Sequence, residues 1–212
     1  VGKPRHVLEG AIYSSEIFAA IENRRIRPLP YDPLLKVHTV WDLGWNDSMS
    51  IGFVQRLHSE IRWIDFLEDS HRTYDWYVAE IKNKRYNLGR AFLPHDGRHK
   101  NAQTGISAEE ILRKLGLDAN AALKPSNVEE GIKAVRLKFS QMFFDEVKCK
   151  PMIDHLRRYR RNVPVTTHEP QSPLHDEHSH AADMVREGVS RLSDMRNDEK
   201  DAPMPIPRTG IV

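Results

Sequence analysis

A chain of 212 residues with 39% hydrophobic and 29% charged side chains can bury the core of one globular domain with trailing segments, which excludes a short peptide module. The formal charge of +2 is too small to indicate a nucleic-acid partner by itself, and the single Cys149 excludes an internal disulfide and suits a reducing compartment. No apolar run approaches the roughly 18 to 20 residues of a membrane helix, and the charged start Val1-Gly2-Lys3-Pro4-Arg5 lacks the apolar core of a secretory signal, so an intracellular protein with no membrane role is expected.

In chain order, Ile17, Ala20 and Ile21 recur at helical spacing and predict a helix over Ser14 to Asn23. Pro28, Pro30 and Pro33 then enforce an extended connector. Residues 1–35 thus read as a linker or N-terminal helical extension, and a compact domain is expected over 36–193. Strand patterns run from Val37 to Leu43, Ser48 to Gln55 and Glu60 to Leu67, separated by Gly44-Trp45-Asn46-Asp47 and Arg56-Leu57-His58-Ser59, which predicts an antiparallel meander. A helix over Thr73 to Tyr86 and a short strand Ala91 to Leu93 follow. Ser107-Ala108-Glu109-Glu110 is a capping box opening a helix that ends at Gly116. Val128, Ile132, Val135 and Phe139 predict a helix over Asn127 to Phe139, then a strand Met142 to Phe144 and a helix Pro151 to Arg161. A loop rich in Pro and His over 162–177 leads to a last helix, His178 to Leu192, and residues 194–212 read as a flexible charged tail. The order defines an α/β fold.

Three acids stand where a ligand site forms in such folds. Asp42 ends the first strand of the meander, Asp96 follows the strand Ala91 to Leu93, and the carboxyl ends of neighbouring strands are the usual binding crevice. Asp183 lies on the last helix beside the apolar stripe of Ala182, Val185, Val189 and Leu192, with His180 and Glu187 on the same adjoining face. Such carboxylates are hard oxygen ligands for Mg²⁺ or Mn²⁺, and two ions about 4 Å apart can activate water and steady a leaving phosphate oxygen. Each acid also has a plainer reading: Asp42 and Asp96 as turn acids, Asp183 as an ion-pair partner of Arg186 or Arg191.

The segments TVWDLGWNDSMSIGF (Thr39 to Phe53), FLPHDG (Phe92 to Gly97) and HSHAADMVR (His178 to Arg186), with the order of elements over about residues 36–193, resemble the C-terminal nuclease domain of the large terminase subunit of tailed bacteriophages. The resemblance implies a ribonuclease H-like fold, a mixed central sheet that begins with the antiparallel meander and carries helices on both faces. It implies a metal-dependent DNA endonuclease that cuts concatemeric viral DNA at the start and end of genome packaging, using two divalent cations, Mg²⁺ or Mn²⁺. By resemblance Asp42 bridges both metals, Asp96 and Asp183 complete their coordination, and His180 matches a position where some members place a metal-site histidine. It further implies double-stranded DNA, the portal of the procapsid and the small terminase subunit as partners, with action in the cytoplasm of the infected host and no place in the mature virion. The family's ATPase motor would belong to the same full-length protein; no G-x-x-x-x-G-K-[ST] loop occurs in residues 1–212, so no ATPase activity is expected of them.

Other residues have assigned parts. Arg98, His99 and Lys100, just beyond Asp96, and Arg157 and Arg158 are candidates to hold DNA phosphates. His95 is a candidate to orient Asp96 and Asp47 to orient the metal site, with a structural hydrogen bond and a turn role as the respective alternatives. His168, His175, Asp176, His178 and His180 form either a zinc site or part of a mobile loop over the acids. The same acids would serve another ribonuclease H-like enzyme, a resolvase or transposase, while a docking module with weak activity in isolation is the reading of a different class.

Overall fold

A computed structural model describes residues 8–44, 48–124, 127–166 and 168–197. The meander forms as β2 (Val37–Asp42), β3 (Met49–Leu57) and β4 (Glu60–Asp69), each antiparallel to the next. It is the centre of a seven-stranded mixed sheet in the order β1-β7-β4-β3-β2-β5-β6. On one side β5 (Leu88–Leu93) runs parallel to β2 and β6 (Asp118–Ala121) parallel to β5; on the other, β7 (Met142–Asp145) runs parallel to β4 and β1 (Ile26–Arg27) parallel to β7.

Side-chain alternation sorts the sheet into two apolar faces. Val37, Trp41, Ile51, Phe53, Ala91 and Leu93 bury against Tyr77, Val78 and Ile81 of α2 (Tyr74–Asn83) and Leu112 of α3 (Ala108–Lys114). Val40, Val54, Trp63, Phe92 and Phe144 face the opposite layer, formed by α1 (Ser14–Glu22), α4 (Val128–Lys138), α5 (Lys150–Arg158) and α6 (Ser179–Ser190). Helices therefore cover both faces, as the α/β reading expects. The capping box at Ser107 and Glu110 is formed in both directions.

A bulge in β4 sets one feature of the site. Phe53 pairs with Asp65 and Val54 with Trp63, so Ile64 is an extra residue that resets the alternation. After it, Phe66 and then Glu68 fall on the α6 face, and the register Asp42↔Ser50↔Glu68 lines three polar residues across adjacent strands. α6 approaches this face closely because Gly52 and Gly188 lack a Cβ. A Cβ on Gly52 would sit 2.6 Å from both Met184 Sδ and Trp63 Cζ3, and one on Gly188 would sit 2.9 Å from Trp63 Cη2.

Residues 11–35 do not stand outside the domain: Ile12, Tyr13, Ile17 and Ala20 are 2% exposed or less in the core, β1 adds a strand to the sheet, and buried Arg25 donates to the carbonyls of Phe139 and Met142. The prolines lie beyond both α1 and β1 and do not detach the helix, whose apolar stripe is buried in the core. The tail likewise begins later than residue 194. Met195 is buried, His38 Nε2 bonds the Arg196 carbonyl, and Asn197 bonds the Lys36 amide and the Arg56 carbonyl. The rest of the tail lies outside the described residues.

Candidate functional site

Asp42, two residues beyond Val40 on β2, points to the α6 side at the end of the strand. Its Oδ2 lies 3.0 Å from Nδ1 of His180 in the first turn of α6, the ring N–H donating. Burial raises the Asp42 carboxyl, the hydrogen bond and charge of His180 oppose the rise, and the charge of Asp96 adds to it.

Asp183 and Glu187 follow His180 at helical spacing on the same face of α6. Burial pushes Asp183 up to about 6; Arg186 opposes this and Asp42 adds to it. Burial pushes Glu187 up to about 7, with Arg191 opposing and both Asp96 and Asp42 adding. Asp96, exposed in the 3-10 turn His95–Arg98 after β5, is the fourth member of this electrostatic group. The structure thus gathers Asp42, Asp96, Asp183 and His180, and it adds Glu187. That residue was legible as the next acid on the helix face, but the spacing gave no measure of its burial.

The acids are not evenly answered by protein cations. Asp183 Oδ1 is 2.7 Å from Nη2 of buried Arg186, as one of its sequence alternatives held. Glu187 Oε1 is 3.6 Å from Arg191 Nη1, too far for a hydrogen bond, and among the described residues it has no hydrogen-bond partner. Carboxyls raised by burial, one with an orphaned oxygen, are a donor set that suits a hard divalent cation. As placed, however, no three His, Cys, Asp or Glu side chains among the described residues converge as ligands on one point. Gripping one ion therefore requires side-chain movement, and Arg186 competes for Asp183.

The remaining candidates fall in distinct places. His99 and Lys100 line a cleft of about 610 Å³ with Asp96, Arg72 and Tyr74. Arg98 instead turns toward Glu109 at 3.7 Å and lines a separate depression with Asn120 and Arg191. Arg157 and Arg158 are exposed at the end of α5, where Ser14 of α1 donates to the Arg157 carbonyl. The His95 ring packs edge-on against His99 at 5.5 Å between centroids. Asp47 lies outside the described residues.

The histidine-rich stretch divides rather than forming one zinc site. His168 is 73% exposed and lies 3.9 Å from Glu9. Asp176 accepts from the His178 backbone N–H, and the His175 ring packs on His180 at 5.5 Å. Nδ1 of His178 meets Nδ1 of His155 at 3.0 Å, and Nε2 of His155 meets Glu68 Oε2 at 3.0 Å. Neither Glu68 nor His155 was singled out in the sequence, because the residues that meet are 87 positions apart.

No protein-family model and no curated protein matches the sequence. Solved structures do match the fold. The nuclease domain of the phage P22 large terminase is 17% identical with a TM-score of 0.66, over 82% of this chain and 91% of that domain. The nuclease domain of the bacteriophage SPP1 large terminase, crystallised with bound Mn, is 14% identical with a TM-score of 0.55, over 76% of this chain and 87% of that one. A large terminase from a thermophilic bacteriophage is 15% identical with a TM-score of 0.62 over 84% of this chain, but the match spans only 45% of that longer protein. The fold is thus ribonuclease H-like, the class of the bacteriophage large terminase nuclease domains.

Proposed function

We propose that the chain is a metal-dependent DNA endonuclease acting in phage genome packaging, with Asp42, Asp96 and Asp183 as its cation-holding acids. The observation that carries this reading is the grouping of Asp42 and Asp96, at the ends of the paired strands β2 and β5, with Asp183 on α6 within one another's electrostatic reach, in a fold shared with terminase nuclease domains. The metal bound to the SPP1 domain supports a divalent cation, Mg²⁺ or Mn²⁺, as the resident ion.

Bound divalent cations would lower the pKa of an attacking water and neutralise charge on the leaving oxygen. The chain's own groups supply the rest. Asp42, centrally placed, is oriented by His180. Asp96 and Asp183 would hold the cations together with it, Asp183 giving up its pairing with Arg186 to do so. His99 and Lys100 beside Asp96, with Arg98, Arg157 and Arg158 as further candidates, hold backbone phosphates, so cutting has little sequence specificity and binding weakens steeply with salt. In this reading the substrate is concatemeric viral DNA in the infected host, and the partners are an ATPase motor, the portal and the small terminase subunit.

Conversion of supercoiled plasmid to nicked and linear forms tests this. Cleavage should require Mg²⁺ or Mn²⁺, stop with EDTA, and fall at least about 100-fold in Asp42→Asn, Asp96→Asn and Asp183→Asn while the fold persists. Cleavage that survives all three substitutions removes the assignment. DNA or protein binding without any cleavage favours the docking reading.

A further inference from the structure

The polar residues behind the acids have no part in the mechanism above, yet they are joined without a gap. Ser50 Oγ donates to Glu68 Oε1 at 2.8 Å, and His155 Nε2 donates to Glu68 Oε2 at 3.0 Å. In a neutral His155 ring that carries its proton on Nε2, Nδ1 is an acceptor, and the 3.0 Å contact between the two Nδ1 atoms is then donated by His178. Glu68 stands on β4, His155 on α5, and His178 is the cap residue immediately before α6. The His178 side chain makes no capping bond to its own helix and is spent on His155 instead. Behind it, Ser179 Oγ donates to the Asp176 carbonyl and lies 3.1 Å from His175 Nδ1, and the His175 ring packs on His180.

We infer that Glu68, His155 and His178 form a brace that fixes the first turn of α6 and thereby aims His180 at Asp42. The argument is geometric. β4 and β2 are separated only by β3, and the register Asp42↔Ser50↔Glu68 puts both carboxylates on one face, so the brace and the Asp42–His180 bond tie the same helix turn to two points of one rigid sheet. A helix held at two points cannot slide or rotate freely. Displacement of about 1 Å at a reacting group is enough to cost on the order of 100-fold in rate. Partners that orient a metal ligand from behind typically contribute 10- to 100-fold in metal affinity. His155, Glu68 and His178 are positioning residues in this account, acting through His180. Only the metal part of the inference rests on the nuclease reading.

The test uses the full chain without metal, then with Mn²⁺ as the probe. Long-range ¹⁵N–¹H spectra of the imidazoles should show His155 in the Nε2–H form, and His155→Ala should shift the ring resonances of His180. The same variant should bind Mn²⁺ about 10-fold or more weakly, with DNA affinity in EDTA unchanged. His155→Asn, whose amide oxygen can accept from His178, should restore most of the Mn²⁺ affinity. Glu68→Ala removes the other end of the brace and serves if His155→Ala does not fold. Unchanged His180 resonances in the folded variants overturn the inference, as does unchanged Mn²⁺ affinity, however far the melting temperature falls. If the native chain binds no Mn²⁺, the nuclease reading fails, while the His180 spectra still decide whether the brace exists.

Discussion

Glu187 shows how the site is held in tension. Its carboxyl is 8% exposed, within the field of Asp42 and Asp96, and is pushed up to about 7 from an ordinary 4.5. The folded state therefore binds the Glu187 proton more tightly than the unfolded chain, so its contribution is favourable below about 4.5 and is lost as pH rises through 7. Glu187→Gln, which removes the charge, should stabilise the metal-free protein above pH 7 by about 1 to 3 kcal/mol and have little effect at pH 4.5, measured by urea unfolding in EDTA. A destabilised Gln variant at pH 8 would mean that Arg191 already answers the charge. At this scale the positions of Asp42 and Asp96 at strand ends, and of His180 and Asp183 on one helix face, were legible from the sequence pattern. Glu68 and His155 were not, since a hydrogen bond between residues 87 apart leaves no local pattern.

The strands and helices carry a second set of consequences. α6 reaches the sheet only where Gly52 and Gly188 leave room, so its acids depend on two missing methyl groups. Gly52→Ala forces Trp63 and Met184 apart inside a close-packed core and should cost about 1 to 3 kcal/mol in chemical denaturation. It should also lower plasmid cleavage by displacing the helix, and full activity at unchanged stability would show that α6 does not need that contact. Most elements were readable because their periodicity is strong, as in β3 and α4. β6 was not: Asp118-Ala-Asn-Ala has little strand propensity, and its place is supplied by the open edge of β5. The bulge at Ile64 was equally hidden, although it decides which face Glu68 occupies.

Across the whole molecule, residues 11–35 pack with the rest of the chain and not apart from it. α1 and β1 complete a core that the rest of the chain leaves open, through Ile12, Tyr13, Ile17 and Ala20. Ile17→Ala should destabilise by about 2 to 5 kcal/mol, and a chain beginning at residue 36 should lose its cooperative unfolding transition in circular dichroism. An unchanged midpoint for that shortened chain would restore the linker reading. The prolines at 28, 30 and 33 suggested a boundary because local stiffness is visible in a sequence, whereas the helix that packs back across the sheet is not. The central claim is that the acids of β2, the turn after β5 and α6 share a divalent cation, and crystals grown with Mn²⁺ test it most directly. Anomalous density bonded to Asp42 and to at least one of Asp96 and Asp183 is the expected result. Mn²⁺ density absent from Asp42, with Asp183 still paired to Arg186, would contradict it.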